Sequence, residues 1–490
     1  MYIQVLKKRY KIVFSYIGTL FMFFSIVLLI PCVFCVMYPG DLNSSLSFIY
    51  TAILSFLFGF ILSIWTKLKP GTPVTIQEGS LIVLFVWIFG IFFSSLPFVF
   101  EGILSFSHAF FESTSGWTTT GLTLVDVTKI PRIFLVWRSI MQFIGGAGFA
   151  IVMMSAILGP TGFGLYNAEG RMDNLVPNMR SSVRKILVIY FTYAIVGMLF
   201  YMIAGMSFFD AFNHSLTALA TGGFSTRAGS IGEFNSIFIE VITMVLMILG
   251  TTGFGIHYLL WKRDWKSLKK NGEPKSLFFI LIIFIPMIMF GTMHLFYANL
   301  GENFRHSIFQ AVSALTGTGF STVDFFNWNS FGLFMITLLM IFGGDLDSTS
   351  GGLKQYRIYI VYKLLKQQII NFFLPSRSVT KIEVWKGSKK SYVNPSMIRE
   401  ILMNFSAYFL TFSIGVGIIS SYGFSLQDAA FEFASALSTV GLSIGITSQS
   451  APLGIIWTET LGMFFGRLEF FVILYGIVKI VKDISRIREK

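Results

Sequence analysis

Charge is scarce in this chain of 490 residues: Asp, Glu, Lys and Arg make up 12% of it, against roughly 25% in a soluble globular protein. Proline is sparse, at 13 residues, and there are two cysteines. These shortages exclude a disordered chain, a collagen-like repeat and a disulfide scaffold. Signatures of catalysis are missing as well. There is no Walker A loop, no H-E-x-x-H and no dinucleotide fingerprint after a strand, and Gly162-x-Gly164 lies in a loop after an apolar run, outside any βαβ context. Five scattered histidines offer no converging metal or nucleophile set. The chain therefore reads as no enzyme, with no organic cofactor of its own. Cys32 and Cys35 have C-x-x-C spacing but no second Cys/His pair to complete a metal site, so they read as packed or lipid-facing thiols.

What is present is apolar. Hydrophobic residues make up 54% of the chain, with 56 Phe, and the mean hydropathy is +0.72. A spanning helix needs about 20 mostly apolar residues. Ten stretches qualify: 13–37, 46–65, 80–101, 132–158, 184–204, 233–260, 276–297, 330–342 continuing as 353–373, 397–420 and 450–478. The basic N-terminus has no small-residue cleavage site after its apolar run and reads as a first span rather than a cleaved signal. Ten crossings place both termini on one side. The segments on that side hold 31 of the 37 Lys and Arg, so the positive-inside rule makes it cytoplasmic. The net charge of +13 is thereby explained by topology, without nucleic acid. The largest soluble piece, 375–396, is too short for an independent domain.

Four shorter segments, 105–118, 208–221, 303–317 and 426–438, look helical but are too short and polar to cross. Each leads into small and hydroxylated residues and then Gly, an apolar residue and Ser or Thr. These are Thr119-Thr120-Gly121-Leu122-Thr123, Ala220-Thr221-Gly222-Gly223-Phe224-Ser225, Gly317-Thr318-Gly319-Phe320-Ser321 and Thr439-Val440-Gly441-Leu442-Ser443. The aligned glycines Gly121, Gly223, Gly319 and Gly441 are 102, 96 and 122 residues apart, too long for a solenoid but right for a unit of span, short helix, span. The fold expected is an all-α polytopic membrane protein: an N-terminal hairpin (1–70) followed by four repeats (71–183, 184–275, 276–396, 397–490) around a pseudo-fourfold pore. Non-helical backbone at membrane depth is tolerated where protein buries it or where it lines a water-filled path. Loop carbonyls converging on one axis can replace the hydration shell of a cation, and short helices aim their negative C-terminal ends there. For any one such motif taken alone, a packed loop of small residues explains the composition equally.

These motifs, together with Trp137-Arg138-Ser139-Ile140-Met141-Gln142-Phe143-Ile144-Gly145-Gly146 and Gly466-Arg467-Leu468-Glu469, resemble the Trk/Ktr/HKT superfamily of potassium transporters over nearly the whole chain. The stretch Gly205 to His214 running into Thr221–Thr226 is most like the TrkH/TrkG branch, as is the extra N-terminal hairpin, which the Ktr branch generally lacks. The fourth motif, Ser438 to Ser443, departs from that branch and looks more like Ktr. The resemblance implies potassium uptake across a bacterial inner membrane. It implies a K⁺ filter built by Thr119, Thr120, Gly121, Ala220, Thr221, Gly222, Gly223, Gly317, Thr318, Gly319, Thr439, Val440 and Gly441. Gly121, where sodium-selective plant relatives carry Ser, points to K⁺. The resemblance also implies a homodimer regulated by a cytosolic TrkA-like (RCK) ring that binds NAD(H) or ATP/ADP.

The second span of the third repeat is interrupted by Gly343-Gly344-Asp345-Leu346-Asp347-Ser348-Thr349-Ser350-Gly351-Gly352-Leu353-Lys354, too polar for a lipid-facing helix. A kink whose polar groups are satisfied by neighbours accounts for the composition alone. The resemblance identifies the segment as an intramembrane gating loop, with Gly343, Gly344, Asp345, Asp347, Ser348, Gly351, Gly352 and Lys354 in the gate and Arg467 near it. Arg467 is the one basic residue placed deep in a span, so it must face a pore or a partner. Asp345 and Asp347 either attract cations or pair with it. Glu112 and Glu432 are expected to hold the short helices by hydrogen bonds, Asp210 and Asp428 to cap them, and His214 to be a packed helix residue. Gly250-Thr251-Thr252-Gly253 and Gly145-Gly146-Ala147-Gly148 read as helix-packing sites or hinges. Basic loops such as 262–275 and 381–390 suit a docking partner or anionic lipid equally. The remaining alternatives are a Ktr-like or sodium-permeable transporter of this fold, a secondary carrier with broken helices, which predicts inverted repeats, and a membrane enzyme.

Overall fold

The computed structural model describes residues 2–66, 75–148, 179–375 and 381–488. The end of the expected span 132–158, the Gly162-x-Gly164 loop and the expected boundary between the hairpin and the first repeat at 70/71 lie outside the described residues.

Helices α1 (Tyr2–Leu29) and α2 (Ser45–Thr66) form the N-terminal hairpin. Gly18 and Gly59 face each other where they cross. A Cβ on Gly59 would lie 2.5 Å from the Gly18 carbonyl oxygen, so both positions need glycine for this approach. The first repeat is α3 (Ile76–Phe100), the short helix α4 (Phe106–Trp117) and α5 (Arg132–Ala147). The second is α6 (Met179–Ile203), α7 (Phe208–Leu219), α8 (Ile237–Thr251) and α9 (Phe254–Trp261), with α10 (Trp265–Leu268) after it. The third is α11 (Glu273–Gly291), α12 (Leu300–Thr316), α13 (Ser330–Ile341) and α14 (Gln355–Phe372). The fourth is α15 (Pro395–Ser421), α16 (Leu426–Leu437), α17 (Leu453–Arg467) and α18 (Phe471–Arg488). Between the last two repeats, β1 (Glu383–Lys386) and β2 (Lys389–Tyr392) form a small antiparallel hairpin, with Val384 opposite Ser391. The expected all-α polytopic membrane fold is therefore borne out, with this one hairpin added.

Six described helices are long and apolar enough to cross a membrane. Two further expected spans, 233–260 and 450–478, are not straight. α8 and α9 meet at 107°, and α17 and α18 at 102°. The first bend follows Thr252, whose backbone is extended (φ −79°, ψ 135°). The second occurs at Glu469 and Phe470, both in the left-handed region (φ 52° and 57°). The apolar composition continues on both sides of each break, so the pattern alone does not show the bend. The expected interruption of the third repeat is present: α13 ends at Ile341 and α14 starts at Gln355.

The four short helices are where expected. Ser207 and Ser425 accept the backbone N–H groups of Asp210 and Asp428 and are thus the caps. Asp210 and Asp428 are two residues inside the helix rather than capping it, as a Ser-x-x-Asp spacing favours. Asp210 also pairs with Arg227 at 2.8 Å. Second-span glycines press against the last turns of these helices. A Cβ on Gly145, Gly250 or Gly466 would lie 2.1, 2.2 or 1.8 Å from the carbonyl oxygen of Trp117, Leu219 or Leu437. The close-packing reading of these glycines holds, and only that contact distance lets the short helices sit deep between their flanking spans.

Candidate functional site: a ring of four loops above an intramembrane loop

Each short helix ends the same way. Thr119 N–H donates to Gly116 O and Thr120 N–H to Ser115 O. The same pair of bonds runs from Thr221 and Gly222, Gly317 and Thr318, and Thr439 and Val440. This is the Schellman ending, which requires a left-handed residue at its turn. The turn residues are Thr119 (φ 57°), Thr221 (50°), Gly317 (68°) and Thr439 (53°). A non-glycine residue there carries a strain of about 1–2 kcal/mol, so three threonines are held in place by their surroundings.

Two residues on, Gly121, Gly223, Gly319 and Gly441 all have positive φ (99°, 73°, 84° and 95°). Each abuts the next repeat. A Cβ on Gly121 would lie 2.4 Å from Gly222 O; on Gly223, 2.1 Å from Thr318 O; on Gly319, 1.9 Å from Val440 O; and on Gly441, 2.2 Å from Thr120 O. The chain of contacts runs from repeat 1 to 2 to 3 to 4 and back to 1, so the four loops close into a ring lined by backbone. Thr119, Thr120, Thr221, Thr318, Thr439, Val440 and Ala220 are all buried.

Behind the ring stands a layer that sequence reading had only in pieces. The residue nine positions before each ring glycine is Glu112, His214, Gln310 or Glu432, and each clamps the segment just after its glycine. Glu112 accepts from Thr123 Oγ1 (2.9 Å) and Leu124 N (2.9 Å), and Glu432 from Ser443 Oγ (2.6 Å) and Ile444 N (3.0 Å). His214 Nε2 meets Ser225 Oγ at 3.0 Å, and Gln310 Nε2 donates to Thr322 Oγ1 at 3.4 Å. The constant spacing of nine was the signal that could have found this layer. Buried Arg138 joins it, bonding Glu112 at 2.8 Å and lying 3.9 Å over the Phe224 ring of the next repeat.

The segment 343–352 lies on the other side of the Schellman turns, and its residues 349–351 touch all four. Thr119 Oγ1 donates to Thr349 O (3.4 Å), Thr221 Oγ1 and Thr349 Oγ1 are 2.9 Å apart, Ser350 Oγ is 2.8 Å from where a Gly317 Cβ would stand, and Thr439 Oγ1 is 2.2 Å from where a Gly351 Cβ would stand. The loop is held by Gly343 N–H to Leu353 O, Asp345 N–H to Thr251 O (3.0 Å), Thr349 N–H to Gly250 O (3.2 Å) and Gln355 Nε2 to Gly343 O (2.8 Å). Gly344 packs where a Cβ would strike Thr251 Oγ1, and Gly352 adopts φ 70°. Ser348 Oγ donates to Asp345 O, and Lys354 Nζ to Ser350 O at 2.5 Å.

Arg467 reaches the same point. Its guanidinium donates to the carbonyl oxygens of Thr349, Gly145 (2.7 Å) and Gly146 (3.3 Å). The two aspartates of the loop have contacts of their own. Asp345 accepts from Gly253 N (3.2 Å), and Asp347 pairs with Lys386 of the β-hairpin (3.2 Å). Glu469 pairs with Arg357 at 2.5 Å. Carbonyl oxygens at the end of α5 and in the loop carry partial negative charge, which suits them to a guanidinium.

A helical membrane protein in which four re-entrant loops close a backbone ring over an interrupted span defines the class: a polytopic cation transporter, not an enzyme. A family model described as TrkH, a cation transport protein, matches residues 44–483, and the chain belongs to that family, bearing out the Trk-type potassium transporter read from its motifs. It is 29% identical to the Trk system potassium uptake protein TrkG of Escherichia coli, over 95% of this chain and 97% of that protein. It is 30% identical to the TrkH potassium uptake protein of Halomonas elongata, over 81% and 84%. The crystal structure of the potassium transporter TrkH from Vibrio parahaemolyticus superposes with a TM-score of 0.81 at 26% identity, over 95% of this chain and 98% of that one.

Proposed function

We propose that this chain takes up potassium across the cytoplasmic membrane, with both termini cytoplasmic, and that the ring at Gly121, Gly223, Gly319 and Gly441 is its selectivity filter. The cyclic contact of the four glycines carries the reading: it supports a set of backbone carbonyls on one axis, able to stand in for water around a dehydrated cation. The negative ends of α4, α7, α12 and α16 favour a cation there.

In this reading the loop 343–352, with Arg467, is the gate. Its contact with all four turns blocks the axis, and Arg467 adds a positive charge where a cation must pass. Opening requires residues 349–351 to withdraw and Arg467 to release Thr349. The regulator in this reading is a cytosolic TrkA-like (RCK) ring that binds NAD(H) or ATP/ADP and docks on the basic cytoplasmic loops of a homodimer, with membrane lipid as the other neighbour of those loops; the relatives' names, which place them in a Trk system, support a partner subunit. Radioactive rubidium uptake in a strain lacking its own potassium uptake, with and without a cognate regulatory subunit, tests this. No rescue by expressed wild type overturns the transport reading. Rescue with a K⁺/Na⁺ preference untouched by Gly121→Ser overturns the filter reading.

A further inference from the structure

The ring has one member unlike the others. The residue just before each ring glycine offers its carbonyl oxygen to the preceding repeat, and these residues are Thr120, Gly222, Thr318 and Val440. Only the carbonyl of Gly222 also receives a side-chain bond: Gln142 Nε2 donates to it at 2.5 Å. The same amide accepts the Phe224 N–H through Oε1 at 3.1 Å, so it bridges both sides of Gly223. Gln142 is fully buried. Among the described residues no side chain donates to the carbonyls of Thr120, Thr318 or Val440.

The asymmetry is written into the second spans. Gln142 stands three residues before Gly145, which packs on the end of its short helix. Three residues before Gly250 and Gly466 stand Met247 and Met463, and three before Gly343 stands Met340. All three methionines are fully buried, and none can donate a hydrogen bond. Gly222 itself answers to Gln142: a Cβ there would lie 2.3 Å from the Gln142 amide carbon. Thus the amide belongs to the first repeat, and the carbonyl it serves, in the second repeat, is that of the one pre-glycine residue that lacks a side chain.

We infer that Gln142 is a specificity-determining positioning residue, which weakens one carbonyl of the filter so that the ring favours the larger cation. The inference rests on the filter reading above. A carbonyl oxygen that already accepts an amide N–H directs less of its lone-pair density toward an ion. A ligand shell of lower field strength disfavours a small cation, whose dehydration needs strong ligands, more than a large one. Gln142 never touches the ion; it acts through Gly222.

The test is sodium inhibition of rubidium uptake, measured in whole cells with the full chain. Gln142→Met installs the residue of the other three repeats. Gln142→Glu keeps an acceptor for Phe224 N–H and loses the donor to Gly222. Both are expected to transport, with sodium inhibiting at about threefold to tenfold lower concentration, the scale of one lost hydrogen bond. A merely structural role would lower the maximal uptake and leave the ratio of sodium inhibition to rubidium affinity alone. If either variant reaches the membrane and keeps the wild-type ratio, the inference is overturned. Should both fail to accumulate, Gly222→Ala, which pushes the amide off the carbonyl, must give the same shift, and an unchanged ratio overturns it equally. Gly121→Ser separates the two readings: a shifted ratio there with no shift in the Gln142 variants leaves the filter standing and removes Gln142 from it.

Discussion

Alanine at each ring glycine is the sharpest perturbation, because the structure ranks the four sites. The added Cβ would stand 1.9 Å from a carbonyl oxygen at Gly319, 2.1 Å at Gly223, 2.2 Å at Gly441 and 2.4 Å at Gly121. Ordinary contact begins near 3.4 Å, so the neighbouring backbone must retreat by about 1.5 Å at Gly319 and about 1 Å at Gly121. The obstacle is main chain in every case, and no rotamer change relieves it. Positive φ adds about 1–2 kcal/mol of strain at each site, a factor of about 5–30 against the intact ring. Under the proposed filter reading, carbonyls matched to an ion's shell cannot absorb such displacements. Rubidium uptake normalised to membrane-inserted protein is therefore expected to fall in all four variants, most in Gly319→Ala and least in Gly121→Ala, with sodium competing better wherever uptake persists. Wild-type uptake and ion preference in Gly319→Ala would refute the reasoning outright. A reversed ranking would mean that the loops relax independently and do not form one coupled ring.

Three further outcomes follow from the same geometry. Arg467→Ala removes the donor to Thr349, Gly145 and Gly146, so electrical recordings without any activating partner should show raised basal cation current; an unchanged current would exclude Arg467 from the gate. Lys386→Glu places a like charge beside buried Asp347 and should likewise raise basal current by loosening the loop, with Asp347→Lys restoring closure in the double variant; failure of that swap would show that the hairpin contact does not hold the loop. Glu112→Gln strips the buried Arg138 guanidinium of its counter-charge, which costs about 3–5 kcal/mol, so the purified variant should melt at a clearly lower temperature than wild type, and an equal melting temperature would refute the pair's role.

Much of the site was legible in the chain because it repeats. The four glycines and the helices before them recur at a fixed place in each repeat, and the polar break at 343–352 stands out against the apolar second span of the third. The layer at Glu112, His214, Gln310 and Glu432 was written at a constant spacing, yet its chemistry changes from acid to imidazole to amide, which hides the common task. The bend after Thr252 falls within Gly250-Thr251-Thr252-Gly253, where a packing site and a hinge were equally open readings, and the size of neither bend was legible because the apolar pattern continues on both sides. The partners of Asp347 and Arg467 were not legible either. They come from segments far apart in the chain, and a buried charge can be satisfied by a carboxylate, a lysine or a set of carbonyls with no difference in local sequence.

By itself, the sequence determined that this protein lives in a membrane, that its basic residues gather in alternate segments between the apolar runs, and that four equivalent glycine-bearing segments recur, because apolar length, charge bias and repetition are local properties. Only the tertiary structure decided that the loops close in cyclic order, that residues 349–351 press on all four turns, and that a single glutamine sets one repeat apart. Those facts are distances between atoms of different repeats, and they exist only once the helices have packed.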